Sequence, residues 1–162
     1  MIKLKNNRTY LLGLAIITAG LSACMKEKSF PLEPEIQFIS YEAFGSDSAH
    51  YVFSFTDGDG DIGLSQNDTA PPYDYNVFMD YYEKQNGEWV KFEFDEIGYT
   101  YRIPVLNPGW EPKPLEGQVR ITVFPAYNTS SSALSDTFKW SAYMMDRALN
   151  QSNTVESNFQ VK

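Results

Sequence analysis

The chain has 162 residues, a formal net charge of −8 and one cysteine, Cys24. This acidity disfavours nucleic acid and anionic headgroups as partners, because both are polyanions. A single cysteine excludes an intramolecular disulfide, and a single histidine, His50, is too few for a zinc site or a supported catalytic histidine. We therefore expect a protein without enzymatic activity that does not bind nucleic acid.

The N-terminus has the order of a secretory leader. Lys3, Lys5 and Arg8 precede an apolar run over 11–20, and Leu21-Ser22-Ala23-Cys24 follows directly. The run is short for a membrane span. The quartet matches the lipobox of bacterial lipoproteins, which predicts cleavage before Cys24 and acylation of its thiol, with palmitate among the chains. Several acyl chains hold a protein to a bilayer far more firmly than one.

These features divide the chain into a signal peptide over 1–23, a lipidated cysteine with a short tether over 24–34, and a folded domain over 35–162. Removing the leader leaves 139 residues, enough for one domain with a core. The leader carries three basic residues and no acidic one, so the charge moves from −8 to −11. That charge favours cations as ligands.

After the tether, the chain consists of short runs rich in aromatic and β-branched residues, separated by turn signals. Val119, Ile121 and Val123 alternate with polar residues, as in a strand with one buried face. Asn86-Gly87 predicts a tight hairpin. These runs predict an all-β, antiparallel Ig-like or fibronectin-III-like sandwich of about 7–8 strands, at Glu35–Glu42, Ala49–Thr56, Tyr75–Glu83, Trp89–Phe94, Tyr99–Ile103, Gln118–Pro125, Thr137–Met144 and Thr154–Val161.

The stretch 57–61 reads DGDGD and places Asp57, Asp59 and Asp61 two residues apart. Three carboxylates this close repel one another unless a cation or water offsets their charge. Calcium prefers such oxygen ligands, and the spacing resembles the start of an EF-hand loop with Asp68 in the twelfth place. Ile62 stands where an EF-hand has glycine, and strands flank the loop, so we interpret it as a calcium-type loop on a β scaffold.

A second interpretation of the loop is a glycine-rich turn whose aspartates cap their own backbone amides. It needs no ion, and the sequence leaves it open. Magnesium fits less well than calcium, because a flexible loop does not enforce a small octahedral cage.

The segment 146–153 reads DRALNQSN and lies between two predicted strands. It resembles the Asp-x-Ala-Gly-Asn turn before the last strand of many bacterial Ig-like domains, with Leu149 where glycine is usual. Together with the lipobox and the DGDGDIG stretch, the chain resembles the small single-domain lipoproteins of diderm bacteria. That resemblance implies a lipid anchor in the bacterial outer membrane, facing the periplasm or the cell surface.

In this topology the loop between the second and third strands and the turn before the last strand lie at the same end. Asp146, Asn150 and Asn153 are therefore expected to complete a metal site begun at the acidic loop. The expected function is that of a membrane-anchored, non-enzymatic binding or assembly module with Ca²⁺ as its ion.

The aromatic content of 15% supports an alternative, a cell-surface glycan-binding lipoprotein. Exposed rings bind sugars by stacking, and Trp110 in its proline-rich loop is the main candidate, with Phe78 and Tyr82 on one strand face. Packing within the sandwich is the competing explanation for the strand residues. The partner, protein or glycan, is not identified by the sequence.

Overall fold

The computed structural model describes residues 29–92, 98–106, 109, 111–129 and 135–162. Its regular elements within these ranges are strands, and alternating apolar and polar residues give most of them one face that is buried and one that is wet. In chain order they are β1 (Glu35–Phe44), β2 (Ser48–Asp57), β3 (Val77–Gln85), β4 (Glu88–Phe92), β5 (Tyr99–Tyr101), β6 (Leu115–Val123), β7 (Thr137–Met144), β8 (Val155–Glu156) and β9 (Gln160–Val161).

The strands form two sheets. One contains β1, β2 and β6 in that order; the other contains β4, β3, β7 and β8, with β5 also paired to β3 and β9 to β7. Every pairing between these strands is antiparallel. The predicted fold class is therefore confirmed: the described residues form an all-β antiparallel sandwich of about nine strands.

The core lies between the sheets and is largely aromatic. Trp140 on β7 is fully buried, with the rings of Tyr81 and Tyr99 centred 4.9 and 4.7 Å away. Tyr41 of the first sheet meets Phe138 of the second at 5.9 Å, edge to face. Burying each large apolar side chain stabilises the fold by roughly 1.5–3 kcal/mol, so this cluster accounts for much of the cohesion between the sheets.

Two local predictions are confirmed. On β6, Ile121 and Val123 are buried while Arg120 and Thr122 are exposed. In the β3–β4 hairpin, Gln85 pairs with Glu88. Asn86 and Gly87 between them have φ values of 52° and 91°, as a tight primed turn requires.

Several strand bounds differ from the prediction. The third strand starts at Val77 rather than at Tyr75, and the side chain of Asn76 just before it accepts a hydrogen bond from Ile103 N at 2.7 Å. The same contact takes Ile103 out of β5. The predicted strand Gln118–Pro125 is displaced to Leu115–Val123. The predicted strand Trp89–Phe94 is observed as Glu88–Phe92, and residues 93–94 lie outside the described ranges.

The predicted continuous strand Thr154–Val161 is wrong. The segment forms two short pieces, β8 and β9, which both pair with β7. Residues 157–159 separate them. The break has a physical cause in Ser157, whose side chain and backbone both bond to the backbone of Trp140 on β7.

Candidate metal centre

The acidic loop begins where β2 ends. Asp57 is the last residue of that strand and is fully buried, whereas Asp59 and Asp61 are half-buried. Ile62, where an EF-hand loop has glycine, is also fully buried and belongs to the core cluster. The departure from the EF-hand pattern therefore has a structural role, because Ile62 fixes the far end of the loop in the sandwich core.

Backbone contacts hold the loop against its neighbours. Lys113 N donates to Asp59 O at 2.9 Å. Gly60 has a φ of +71°, and a side chain at this position would place its first carbon 2.4 Å from Lys113 O. Glycine is required here both for the left-handed backbone and for the close approach of the segment that precedes β6.

The three carboxylates converge. One oxygen of each of Asp57, Asp59 and Asp61 lies within 4.8 Å of the others. The Oδ1 atom of each is buried and meets no hydrogen-bond donor among the described residues. A buried carboxylate oxygen without a donor is costly, so the described donors do not satisfy this cluster. It has the composition and geometry of a group that could hold a metal ion.

Two of the remaining carboxylate oxygens accept hydrogen bonds from backbone amides. Gly60 N donates to Asp57 Oδ2 at 2.6 Å, and Ala148 N donates to Asp61 Oδ2 at 3.1 Å. The loop thus contains one of the self-capping contacts expected for a simple turn. It nevertheless leaves one buried oxygen of each aspartate without a described donor, which capping does not explain.

The electrostatics match this geometry. Burial raises the pKa of Asp57 to about 7, and the Gly60 amide opposes the rise. The negative charges of Asp59, Asp61 and Asp146 raise this pKa further. Burial also raises the pKa of Asp61, followed by the charges of Asp146 and Asp59. Both carboxyl groups are thus driven towards neutrality, which a proton or a bound cation can supply.

The turn before the last strand lies against this loop. Arg147 N donates to Asp61 O at 3.3 Å, beside the contact from Ala148. Asp146 is buried at 3% exposure and acts on the loop through its charge, since it contributes to both raised pKa values. The three-carboxylate group within 4.8 Å does not include it. Asp146 therefore adds negative charge around the cluster.

Asn150 supports Asp146 directly. Its backbone N donates to Asp146 Oδ1 and its Nδ2 to Asp146 Oδ2, both at 2.8 Å. Leu149 between them has a φ of 66°, the left-handed conformation for which glycine is usual in the related turn. The turn accepts leucine at this strained position, and its side chain remains 39% exposed.

Two further residues that the sequence linked to the metal site, Asn153 and Asp68, have different roles. Asn153 bonds with both amide atoms to the backbone of Ile36, at 2.8 and 2.9 Å, and so joins this turn to the start of β1. Asp68 accepts hydrogen bonds from Arg147 Nη1 at 2.6 Å and Ser65 N at 2.7 Å. The Arg147 guanidinium holds the pKa of Asp68 below its usual range. The twelfth EF-hand place is thus taken by an ion pair.

The remaining candidates lie elsewhere. Cys24 and Trp110 are outside the described residues. His50 is near the opposite end of β2 from Asp57 and packs edge-on against Phe44 at 4.8 Å. Among described residues, no helix is long and apolar enough to cross a membrane.

The aromatic residues named for glycan binding are on the outer face of the larger sheet. Phe78 stacks on Tyr143 with ring centroids 5.0 Å apart. Lys139 lies over Tyr82 at 5.5 Å and over Trp89 at 4.9 Å. The described rings already contact each other or a cation, which supports packing as their role.

Sequence reasoning missed the partners that press on the loop, namely Lys113 and the segment around Phe30 and Pro31. Their contacts are made by backbone atoms, and no side-chain pattern marks those. A stronger signal was present in Ile62, since an apolar residue directly after three aspartates indicates a loop that returns to the core.

Comparison with protein-family models, with curated proteins and with solved structures finds no match for this chain. The fold and the site therefore define a class only: an all-β sandwich with a carboxylate cluster that could hold a metal ion. Any more specific function is inferred from the geometry of the site and from the sequence motifs.

Proposed function

We propose that this protein is a membrane-anchored, non-enzymatic Ig-like module for binding or assembly, whose acidic end is stiffened by Ca²⁺. One observation carries the proposal: three carboxylates converge to within 4.8 Å, each with a buried oxygen that lacks a described donor. A cation would satisfy these oxygens and cancel their mutual repulsion together.

The chemistry of the donors favours calcium. All three are carboxylates, and calcium takes six to eight oxygen ligands in flexible geometry. Zinc and other metals that prefer nitrogen or sulfur are disfavoured, because the one histidine of the sequence is near the other end of β2. The loop spans two glycines between its aspartates, so it suits the larger ion better than magnesium.

The arrangement supports a structural role for the ion. The loop is bonded to the segment before β6 through Lys113 and to the last turn through Ala148, so an ion at the triad would tie three segments of the chain together. The lipobox supports anchoring through Cys24, and the lack of a supported catalytic histidine supports a non-enzymatic role.

Thermal unfolding tests the proposal. An ion that binds only the folded state raises its stability by about 2.7 kcal/mol at a hundredfold excess over its dissociation constant. We expect the melting temperature to rise with calcium, fall with EGTA and respond less to magnesium.

Asp59→Asn and Asp61→Asn should flatten the calcium response, and Asn150→Ala should weaken it by loosening Asp146. Asp47→Asn, at an exposed turn position, is the matched control and should respond as the original chain does.

The capped-turn interpretation predicts the opposite pattern. Without an ion, the same Asp→Asn changes relieve repulsion and stabilise the protein whether or not EGTA is present. A flat calcium titration by calorimetry on folded protein, combined with that stabilisation, would overturn the metal site.

A further inference from the structure

The segment that precedes β1 is docked on the acidic loop. A carbon added at Gly58, which lies between Asp57 and Asp59, would be 2.5 Å from Pro31 O and 2.6 Å from Phe30 O. Two consecutive carbonyl oxygens of the segment 29–34 thus press on the backbone of the loop. Pro34, at the end of the segment, is buried. The segment is therefore held at residues 30–31, on the loop, and again at its end.

This contact brings together groups of the same electrostatic sign. The carbonyl oxygens of Phe30 and Pro31 are the negative ends of their peptide dipoles, and they lie against the backbone of Gly58, between two of the three aspartates of the cluster. At short range and with partial burial such groups repel. The contact becomes favourable when a cation offsets the charge of the loop, because the ion is then the largest local charge.

The geometry of the loop links the ion to the docking surface. The Asp57 carboxylate uses Oδ2 to hold Gly60 N at 2.6 Å, while its Oδ1 is one of the oxygens without a described donor. The same side chain therefore sets the backbone around Gly58 and would take part in holding the ion. Loss of the ion would loosen the backbone on which Phe30 and Pro31 lie.

We propose that cation binding at the Asp57, Asp59 and Asp61 cluster docks the segment 29–34 on the acidic loop, and that the segment is released from the loop when the ion leaves. The ion thereby controls whether the segment 29–34 is fixed to the sandwich. This inference rests on the proposed function, since it takes that metal site as its starting point.

Backbone ¹⁵N relaxation on the full chain in detergent micelles tests the inference. With calcium, the amides of Phe30, Leu32 and Glu33 should have order parameters near those of rigid backbone, about 0.85; in EGTA they should fall below about 0.6. The amides of β6 serve as an internal control and should remain rigid in both conditions. Calorimetry on the same sample measures calcium binding itself.

A variant separates docking from ion binding. Gly58→Ala places a methyl group where the two carbonyl oxygens lie and leaves every carboxylate unchanged, so calcium should still bind while the segment stays mobile with the ion present. Gly109→Ala, where an added carbon meets nothing within 4 Å, is the matched control and should keep both properties. If Gly58→Ala does not fold, the comparison of calcium with EGTA on the original chain decides.

The outcomes are distinguishable. Calcium binding with unchanged order parameters over 29–34 overturns this inference and leaves the proposed metal site intact. Absence of calcium binding to folded protein overturns the proposed function, and the inference with it. Docking that follows calcium and is lost in Gly58→Ala supports both.

Discussion

Asp57 is completely buried, yet its side chain is a carboxylate with other carboxylates close by. Burial and like charges both disfavour its ionised form. Its side chain is not exposed at all, and one of its oxygens has no described donor. Burial is the main reason that its pKa rises to about 7. A residue in this state stabilises the fold only when a proton or a cation neutralises it.

This residue predicts how stability depends on pH in EGTA. In the unfolded chain Asp57 titrates near its ordinary value of about 3.9, whereas in the fold its pKa is about 7. Its contribution is complete below about pH 4 and is lost as the pH rises through about 7. The free energy of unfolding, measured by urea titration, should therefore fall over this range, by on the order of 4 kcal/mol from this group.

Asp57→Asn should remove that part of the decline, because the amide does not titrate. Asp47→Asn is the control and should retain it. Calcium should reverse the trend, since the ion binds ionised carboxylates and its affinity rises with pH through about 7. Equal slopes for Asp57→Asn and the original chain would contradict the assignment of this titration to Asp57.

At the scale of elements, two serines near the last strand use their side chains in place of some of the backbone hydrogen bonds between strands. Ser157 N donates to Trp140 O at 2.7 Å, and Ser157 Oγ accepts from Trp140 N at 3.0 Å. Ser152 repeats the arrangement with Met144, at 2.9 and 3.0 Å. Each serine therefore satisfies both backbone groups of one β7 residue by itself. Ser157 directly follows β8 and thereby permits the strand to break before β9.

Replacing these hydroxyl groups tests this role. Ser157→Ala and Ser152→Ala each leave a backbone N–H of β7 without its acceptor, in a region where both serines are buried. We expect each change to lower the free energy of unfolding by about 1–3 kcal/mol, measured by chemical denaturation. Ser40→Ala, at an exposed position of β1, should change it by less than about 0.5 kcal/mol. Losses equal to that of the control would show that the hydroxyls are dispensable.

On the scale of the whole molecule, the acidic loop, the last turn and the segment before β1 meet at one end of the sandwich. The predicted anchor at Cys24 lies only a few residues before that segment in the sequence. The end of the domain that holds the carboxylate cluster is therefore also the end at which the described chain enters the sandwich.

Anchoring at Cys24 gives a prediction for cells. The original chain should take up a fatty-acid analogue and fractionate with membranes, whereas Cys24→Ser should remain an unprocessed precursor without label, because serine cannot form the thioether and the lipobox is lost. Ser29→Ala, beyond the cleavage position, should be labelled as the original chain is. Equal labelling of Cys24→Ser and the original chain would exclude this anchor.

Much of the fold could be predicted from the sequence because its signals are local. Alternation on β6 and the Asn86-Gly87 turn depend on residues within a few positions of one another, and pleat and turn geometry act at that range. The same holds for the acidic loop, whose two-residue spacing of aspartates is a property of five consecutive residues. The resemblance of 146–153 to an Ig-like turn also identified the segment that contacts this loop.

What only the tertiary structure decided depends on residues far apart in the chain. Glu83 is fully buried and is held by Lys162 at 2.7 Å across 79 positions, and no local pattern indicates that pair. The break in the last strand follows from Ser157 bonding to β7, and Asp57 is buried where the segments around Pro31 and Lys113 lie against its loop. Local chemistry determines which residues can form strands, turns and ligands, whereas long-range packing determines which of them are removed from water, and burial sets the cost of their charge.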